Sequence, residues 1–499
     1  MKRTRKQSKR TPTKLAAVVL AAGKGTRMRS QAAKVLHPLC GLPLGAWPIE
    51  AARLAGASPT VVVVGHQAGE VQATLSAACP EADLRFAIQA EQKGTGHAVM
   101  CAWRDLERSG AEHVLILCGD VPSLTQATMR RLTRAGSGAD VALLTFGASE
   151  PGSYGRILRD ESGRVTEIVE AADASTSQKR INEVNAGIYC VKTSFLGKAL
   201  GTLEADNAQG ELYLTDLVAY AAKSGREVVA IGTSEEEVEG VNDRADLARA
   251  AARLRARINE QLMRGGVSFE DPFATYVDAG IKVGRDTLLC AGVHLRGKTR
   301  IEPNVLIEPY SILRDARVGK GAHIKAHSVI EDADIGRGAK VGPFARLRPG
   351  TVLERDAAIG NFVEAKKAHL GKGVKAGHLS YLGDARIGAG TNIGAGTITC
   401  NYDGKLKHET RIGSSAFIGS NTALVAPVNI GSKAYVGAGS TVTRDIPDGA
   451  LGVARGRQRN LDGWARRKED NESSRVTGEK TEEPKTGARG KSKRRSRAN

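Results

Sequence analysis

A chain of 499 residues is long enough for two to four domains, and 41% hydrophobic with 25% charged residues describes an ordinary globular protein. The net charge of +19 invites a nucleic-acid reading, but residues 1–14 and 455–499 hold fifteen of those charges and leave the body near balance. A specific nucleic-acid enzyme places its charge on a folded face, whereas these polar ends have the composition of disordered tails, with weak polyanion contacts as the most they offer.

The longest apolar runs, such as 15–22, are too short to span a bilayer. No signal-peptide core follows the basic start, so a cytoplasmic protein is expected. The seven cysteines are scattered, with no CxxC pair, which argues for reduced thiols over a disulfide frame or a zinc site.

In chain order, 15–20 reads as a buried strand. Residues 21–28 follow as a glycine-rich loop that is neither a Walker loop nor a full dinucleotide fingerprint. Such a loop still exposes backbone N–H groups that hold phosphates, and Arg27 and Lys34 supply cations within reach. Buried strands recur at 60–64 and 114–117, the latter leading to Asp120. Strands alternating with helices mean a parallel sheet, whose ligands lie at the carboxyl ends of the strands. The competing role for Asp120 is a turn or helix cap.

Residues 89–97 read as a loop entering a helix, and His97 reads as a packed or capping residue. Tyr154, Gly155 and Arg156 on one side and Glu170 on the other flank a hairpin-like pair, and Asn185 opens another strand. Leu247, Ala251, Leu254, Ile258 and Leu262 form one face of a helix stopped by Gly265 and Gly266. Asn242, just before it, is a candidate N-cap.

From about residue 281 to 442, aliphatic residues recur every six positions, most clearly at Ile412, Ile418, Leu424, Ile430, Val436 and Val442. A helix repeats at 3.6 and a strand at 2, so this period predicts a hexapeptide β-helix whose stacked coils bury one aliphatic side chain per strand. The beat slips twice, at 377–384 and between Ile393 and Ile412, where Cys400, Asn401, Tyr402, Asp403 and Gly404 have turn composition. Residues that leave a repeat are where a solenoid carries function. His378 lies in the first of these stretches, while His323 and His327 read as stacked structural histidines.

The motifs LAAGKGTRM (20–28), KVLH (34–37), QAEQKGTGHA (89–98), GDVP (119–122) and VEGVN ending at Asn242 occur in one order. They are followed by GPFARLRPG (342–350), GNFVEAKKA (360–368), KAGHLSYLGDA (375–385) and NIGAGTITCNYDG (392–404). Together they closely resemble the bacterial bifunctional UDP-N-acetylglucosamine pyrophosphorylase and glucosamine-1-phosphate N-acetyltransferase family, over about residues 15–465.

That resemblance implies an α/β, Rossmann-like nucleotidyltransferase domain followed by a left-handed parallel β-helix. Composition predicts a disordered tail at 1–14, and the resemblance then implies a uridylyltransferase domain at 15–242 and a linker helix at 243–266. An acetyltransferase β-helix at 267–465 and a second disordered tail at 466–499 complete the chain. It implies acetylation of glucosamine 1-phosphate by acetyl-CoA, then reaction of the product with UTP to give UDP-N-acetylglucosamine and pyrophosphate for cell-wall precursors. It also implies a homotrimer with acetyl-transfer sites between neighbouring solenoids.

Carried onto this chain, the resemblance assigns Leu20, Ala21, Ala22, Gly23, Arg27 and Lys34 to the nucleotide and its phosphates. Gln89, Gly94 and Thr95 fall to the uracil, Asp120 and Asn242 to Mg²⁺, and Gly155, Glu170 and Asn185 to the sugar. The chemistry agrees: a phosphate attacking a triphosphate brings two polyanions together and needs cations and a metal. In the β-helix, Arg348, Lys366, Tyr381 and Asn392 fall to the sugar phosphate and His378 to the general base, the side chain whose type suits proton removal near neutral pH. Ala395, Asn401, Tyr402, Ser420, Ala438 and Arg455 fall to acetyl-CoA.

The Asn401 amide is expected to orient the His378 imidazole, and residues around Trp464 are expected to fold back on the solenoid. Ala33, Cys118 and Ala186 depart from the family's usual Pro, Tyr and Thr beside contact residues. Two other readings compete: a nucleotidyltransferase with a non-catalytic β-helix, and a trimeric scaffold with nucleic-acid-binding tails. The off-beat His378 and the 401–402 loop, together with Lys366, favour catalysis, since a bare scaffold needs none of them.

Overall fold

The computed structural model describes residues 14–477, and the remaining stretches of both basic ends lie outside the described residues. The strand read at 15–20 forms as Leu15–Leu20 in the middle of a sheet. Thr60–Val64 and His113–Cys118 lie on either side of it, both parallel. These strands are buried on both faces, which is why they read as continuous Val, Ile and Leu runs instead of alternating. Glu183–Lys192 joins next, antiparallel to His113–Cys118. The expected hairpin is the antiparallel pair Arg156–Arg159 and Val165–Val169.

The linker is the helix Arg244–Arg264. Its N-cap is Asp243 and not Asn242: the Asp243 carboxylate accepts from the amides of Ala245 and Asp246 at 2.8 and 2.9 Å. A cap of this kind stabilises by about 1 kcal/mol. Asn242 stands one residue outside the cap, where its side chain does not cap the helix. The helix bridges two cores: Ala250 and Leu254 pack with Leu39 and Leu44, while Ile258 and Leu262 pack against the solenoid interior. Arg257 donates to the Ser123 carbonyl at 2.8 Å on the sheet side. Asn259 donates to the Pro272 and Thr275 carbonyls at 2.7 and 2.9 Å on the solenoid side.

The period of six becomes three parallel sheets of eleven, ten and nine short strands among the described residues. Successive coils repeat every 17 or 18 residues, as in Leu288, Leu306 and His323 along one sheet. Ile412, Ile418, Leu424, Ile430, Val436 and Val442 all point inward and are buried. This is the left-handed parallel β-helix. Across the second slip the beat does continue, since buried Thr399 takes the inward place six residues after Ile393. The chain then leaves for the excursion after Cys400, and Asn392 pairs with Phe417, 25 residues on.

One corner of the prism carries a ladder of rings. Tyr310, His327, Phe344 and Phe362 stack one per coil at centroid distances of 5.2, 4.9 and 5.4 Å. His327 is thus a stacked solenoid histidine, as expected, and His323 pairs with Glu308 at 2.5 Å.

Trp464–Thr477 is a helix that runs past residue 466, where the second tail was expected to begin. Trp464 is exposed and meets Lys468 at 5.8 Å instead of folding onto the solenoid. No described helix is long and apolar enough to cross a membrane.

Candidate functional sites

At the carboxyl ends of the first sheet, three loops converge. Ala21 donates to the Val63 carbonyl and Gly119 to the Leu20 carbonyl, both at 2.9 Å, which fixes the 21–25 loop beside Asp120. Gly25 sits at φ +60°, and a Cβ there would lie 2.5 Å from Lys34 Cβ, so only glycine lets the loop close over Lys34. Lys34 Nζ pairs with Asp120 Oδ2. Arg27 Nη2 donates to Asn242 Oδ1 at 2.9 Å. The Val241 amide donates to the Asp120 carbonyl at 2.9 Å, so Asp120 and Asn242 belong to one cluster although 122 residues separate them. Asp120 caps nothing here.

Two oxygen donors, a carboxylate and an amide, are a hard-ligand set. They suit a divalent cation whose remaining positions come from phosphates and water. Among the described residues no group of three or more His, Cys, Asp or Glu can hold a metal ion by itself. Asp120 and Asn242 alone would leave most of a divalent cation's positions to other ligands.

Buried Gln89 bridges the Gly94 carbonyl at 3.1 Å and His97 Nδ1 at 3.2 Å. Gln92 donates to the Ala22 carbonyl at 2.7 Å and binds this segment to the glycine loop. Thr95 Oγ1 accepts from the Leu214 amide at 3.1 Å. Gly94 is at φ +97°, where a Cβ would meet the Leu212 carbonyl at 2.6 Å.

On the other side, the Asn185 amide N–H donates to the Gly155 carbonyl at 2.8 Å and its side chain donates to the Tyr189 hydroxyl at 2.7 Å. Glu170 lies 3.1 Å from Thr215 Oγ1, and burial pushes its carboxyl above the usual range. Cys118 donates to the Gly187 carbonyl at 3.4 Å, and burial pushes its thiol up to about 12.

The second cluster lies on the β-helix. His378 ends the strand Lys375–His378 and pairs in register with Asn361 on the coil before. Asn361 Oδ1 lies 2.7 Å from His378 Nδ1. An amide oxygen only accepts, so Nδ1 is the donor in this pair, and the neutral tautomer that fits it has its lone pair on Nε2.

The expected partner, Asn401, is elsewhere: its amide donates to Asp384 Oδ2 at 2.5 Å. The reason is position. Asn401 lies where the chain leaves the far edge of the face, while His378 stands at the corner that begins it. Above His378, successive corners stack: Gly396 donates to the Leu379 carbonyl, Asn421 to Ala395 and Gly439 to Ser420, at 2.9, 2.7 and 2.8 Å. Arg455 donates to the Ala438 carbonyl at 2.9 Å. Ala395, Ser420, Ala438 and Arg455 thus form one column above His378.

Across the face, Arg348 pairs with Glu364 at 2.8 Å. Lys366 stands beside Lys407, whose ammonium holds the Lys366 pKa below its usual value, with Arg348 adding to the effect. Such a crowd of cations is a place for a phosphate. A Cβ on Gly383 would meet the Tyr381 hydroxyl at 2.5 Å and the Asn401 amide nitrogen at 2.7 Å, so both converge there. Asn392 lies in the strand Asn392–Ile393, one coil beyond Lys375.

Tyr402 and Lys407 bridge antiparallel, making the excursion a small hairpin. Asp403 closes it, accepting from the amides of Lys405 and Leu406 at 2.8 and 2.7 Å and lying 2.7 Å from His408 Nε2. No hydrogen bond or ion pair among the described residues joins His378 to Arg348, Lys366 or Lys407.

Asn361, Lys407, Thr215 and Tyr189 were not singled out from sequence. Asn361 was findable, because 17 residues, one coil, separate it from His378. Lys407 lies in the hairpin, outside the repeat, and carries no such signal.

Comparison with known proteins covers both clusters. Residues 17–183 match the MobA-like NTP transferase domain model, and 409–444 match the model of a hexapeptide repeat of succinyl-transferase. The chain is 49% identical over 457 residues to the bifunctional protein GlmU of Geotalea uraniireducens, spanning 91% of this chain and 99% of that one. It is 51% identical over 453 residues to the bifunctional protein GlmU of Pelobacter propionicus, spanning 90% and 98%. The likeness therefore runs through both halves and the helix between them.

Proposed function

Because the chain belongs to the bifunctional protein GlmU family, we propose a division of labour between its two clusters, residue by residue. The protein is a uridylyltransferase and a glucosamine-1-phosphate acetyltransferase in one chain. It acetylates glucosamine 1-phosphate from acetyl-CoA, then joins the product to UMP from UTP, releasing pyrophosphate. We assign uridylyl transfer to 15–242 and acetyl transfer to 267–465, with 243–266 as the link.

For acetyl transfer, the observation that carries the assignment is the Asn361–His378 pair. His378 Nε2 takes a proton from the substrate ammonium. The freed amine attacks the thioester carbonyl, the C–S bond breaks, and CoA leaves as its thiol once it regains a proton. Arg348, Lys366 and Lys407 hold the sugar phosphate, with Tyr381 and Asn392 on the sugar. The column Ala395, Ser420, Ala438 and Arg455, with Asn401 and Tyr402, faces acetyl-CoA.

For uridylyl transfer, a phosphate oxygen of N-acetylglucosamine 1-phosphate attacks the α-phosphorus of UTP, and the bond to the β-phosphate oxygen breaks. The family's nucleotide transfer uses a divalent metal; we assign Mg²⁺, which keeps waters and phosphates as ligands. Asp120 and Asn242 would hold it, and it would offset charge on the reacting phosphates. Lys34, Arg27 and the loop 20–23 hold the triphosphate. Gln89, Gly94 and Thr95 face the uracil, and Gly155, Glu170 and Asn185 the sugar.

We further propose a homotrimer. His378 and the cationic group stand at opposite edges of one face, and the exposed ring ladder runs along the corner that His378 shares. A neighbouring solenoid would cover the ladder and complete the site. All seven cysteines are free, which fits a cytoplasmic setting. Two assays test the whole: CoA release with glucosamine 1-phosphate and acetyl-CoA, and pyrophosphate release with UTP, Mg²⁺ and N-acetylglucosamine 1-phosphate. The absence of CoA release would leave the solenoid a scaffold. A monomer by sedimentation that still acetylates at full rate would remove the trimer from the account.

A further inference from the structure

Two cations hold the two oxygens that the metal assignment needs. Lys34 Nζ sits on Asp120 Oδ2 and Arg27 Nη2 on Asn242 Oδ1. The Lys34–Asp120 pair is no loose surface contact, with side chains 15% and 25% exposed, while the Arg27–Asn242 contact lies at the exposed rim. The backbone around both is fixed. Lys34 starts the turn Lys34–Leu36, against which Gly25 closes. The Asn242 amide donates to Asp246 Oδ2 at 2.8 Å, and its side-chain amide donates to the Gly240 carbonyl at 3.3 Å. The movable parts are therefore the ends of the two cationic side chains.

An ammonium and a divalent cation repel, and cannot both lie at bonding distance from the same carboxylate oxygen. A bare metal ion would have to displace Lys34 and Arg27 with no anion, only water, to receive them. A triphosphate changes that balance. Both side chains spring from the glycine loop region, where anionic oxygens are stronger partners for a guanidinium and an ammonium than an amide oxygen or a single carboxylate oxygen.

We propose that Arg27 and Lys34 make this site select a metal–nucleotide complex over the free metal: they bar Asp120 and Asn242 until phosphates draw both side chains off. The inference rests on the assignment of Asp120 and Asn242 as metal ligands. It gives Lys34 and Arg27 a role before any phosphate contact, as guards against loading the wrong species.

The test is calorimetric titration of the full chain with Mn²⁺ alone and with Mn²⁺ in the presence of UTP, without sugar phosphate. In the intact protein Mn²⁺ alone should bind weakly and UTP should tighten it strongly. Lys34→Gln should bind Mn²⁺ alone more tightly by roughly fivefold, the scale of one lost competing ion pair. The same variant should gain less from UTP. Arg27→Gln should shift both values in the same directions. Equal or weaker binding of Mn²⁺ alone in both variants, each with an unchanged melting temperature, would overturn the guard. Asp120→Asn separates this from the parent assignment: if it leaves Mn²⁺ binding with UTP intact, Asp120 is no ligand and the assignment itself fails. If Asp120→Asn abolishes binding while Lys34→Gln and Arg27→Gln leave the free-metal affinity unchanged, only the guard fails.

Discussion

Asn361 and His378 occupy the same position on adjacent coils, and the amide oxygen of one meets Nδ1 of the other at 2.7 Å. The stacking that builds the solenoid thus also fixes the tautomer of its proposed base. A rung of the ladder delivers what a separate catalytic loop supplies in other folds.

His378→Ala should lower acetyl transfer by about 10²–10⁴-fold, the usual cost of losing a general base. Uridylyl transfer and acetyl-CoA affinity should stay as they are. Asn361→Ala should cost about 10–100-fold by leaving the imidazole unoriented, and Asn361→Asp should recover part of it, since a carboxylate also accepts from Nδ1–H. Steady-state kinetics at neutral pH decide the matter. An Asn361→Ala enzyme with intact kcat would show that the pair only packs.

Asp120→Asn removes the one formal charge proposed to face the metal. Uridylyl transfer should fall steeply while acetyl transfer persists in the same preparation. Loss of both activities together would indicate misfolding, and retention of both would remove Asp120 from the site.

Asp403 closes the 402–407 hairpin through two backbone amides and His408, and the Leu406 amide does most to hold its carboxyl below the usual range. A carboxylate depressed in the folded state contributes stability above its unfolded pKa, near 3.8, and loses it as pH falls toward the folded value. The hairpin should therefore hold at neutral pH and loosen in acid. Asp403→Asn should mimic the acid state at pH 7: Lys407 loses its place beside Lys366, and KM for glucosamine 1-phosphate rises more than kcat falls. Unchanged KM would free the hairpin from that duty.

A fragment ending at Gly265 keeps the sheet, its loops and the helix face that packs with Leu39 and Leu44. It should retain uridylyl transfer. Because Ile258 and Leu262 lose their solenoid partners, it should melt at a lower temperature than the intact chain and bind hydrophobic dyes. A folded fragment without pyrophosphate release would show that the two halves cannot be divided there.

Much of this molecule was legible because burial writes its period into the residues. Leu15–Leu20 and Thr60–Val64 formed with the bounds read from their apolar runs. The solenoid was visible because one aliphatic side chain per strand must face inward. Thr399 hid the continuation of the beat: it satisfies its hydroxyl on Gly383, through the amide at 2.7 Å and the carbonyl at 2.9 Å, so a polar residue keeps the inward place. The Lys34–Asp120 pair was beyond reach, since spacing says nothing about side chains that meet across two loops 86 residues apart. Asn401 was given the wrong partner for the same reason. Nearness in sequence to a corner does not say which edge of a face a side chain reaches.

The solenoid's two ends are not alike. At the first coils, Ile258 and Leu262 of the linker helix plug the interior. At the last, Leu451–Gly452 pairs with Tyr435–Val436 and leaves Leu451 and Val453 exposed. In a stack where each coil leans only on its neighbours, warming opens first the end closed by Ile446 of its own last coil and not by a helix. Ser420, Ala438 and Arg455 lie in those last coils, so heat should silence acetyl transfer while uridylyl transfer still runs. Amide exchange should reach Tyr435 and Val436 before it reaches Leu289.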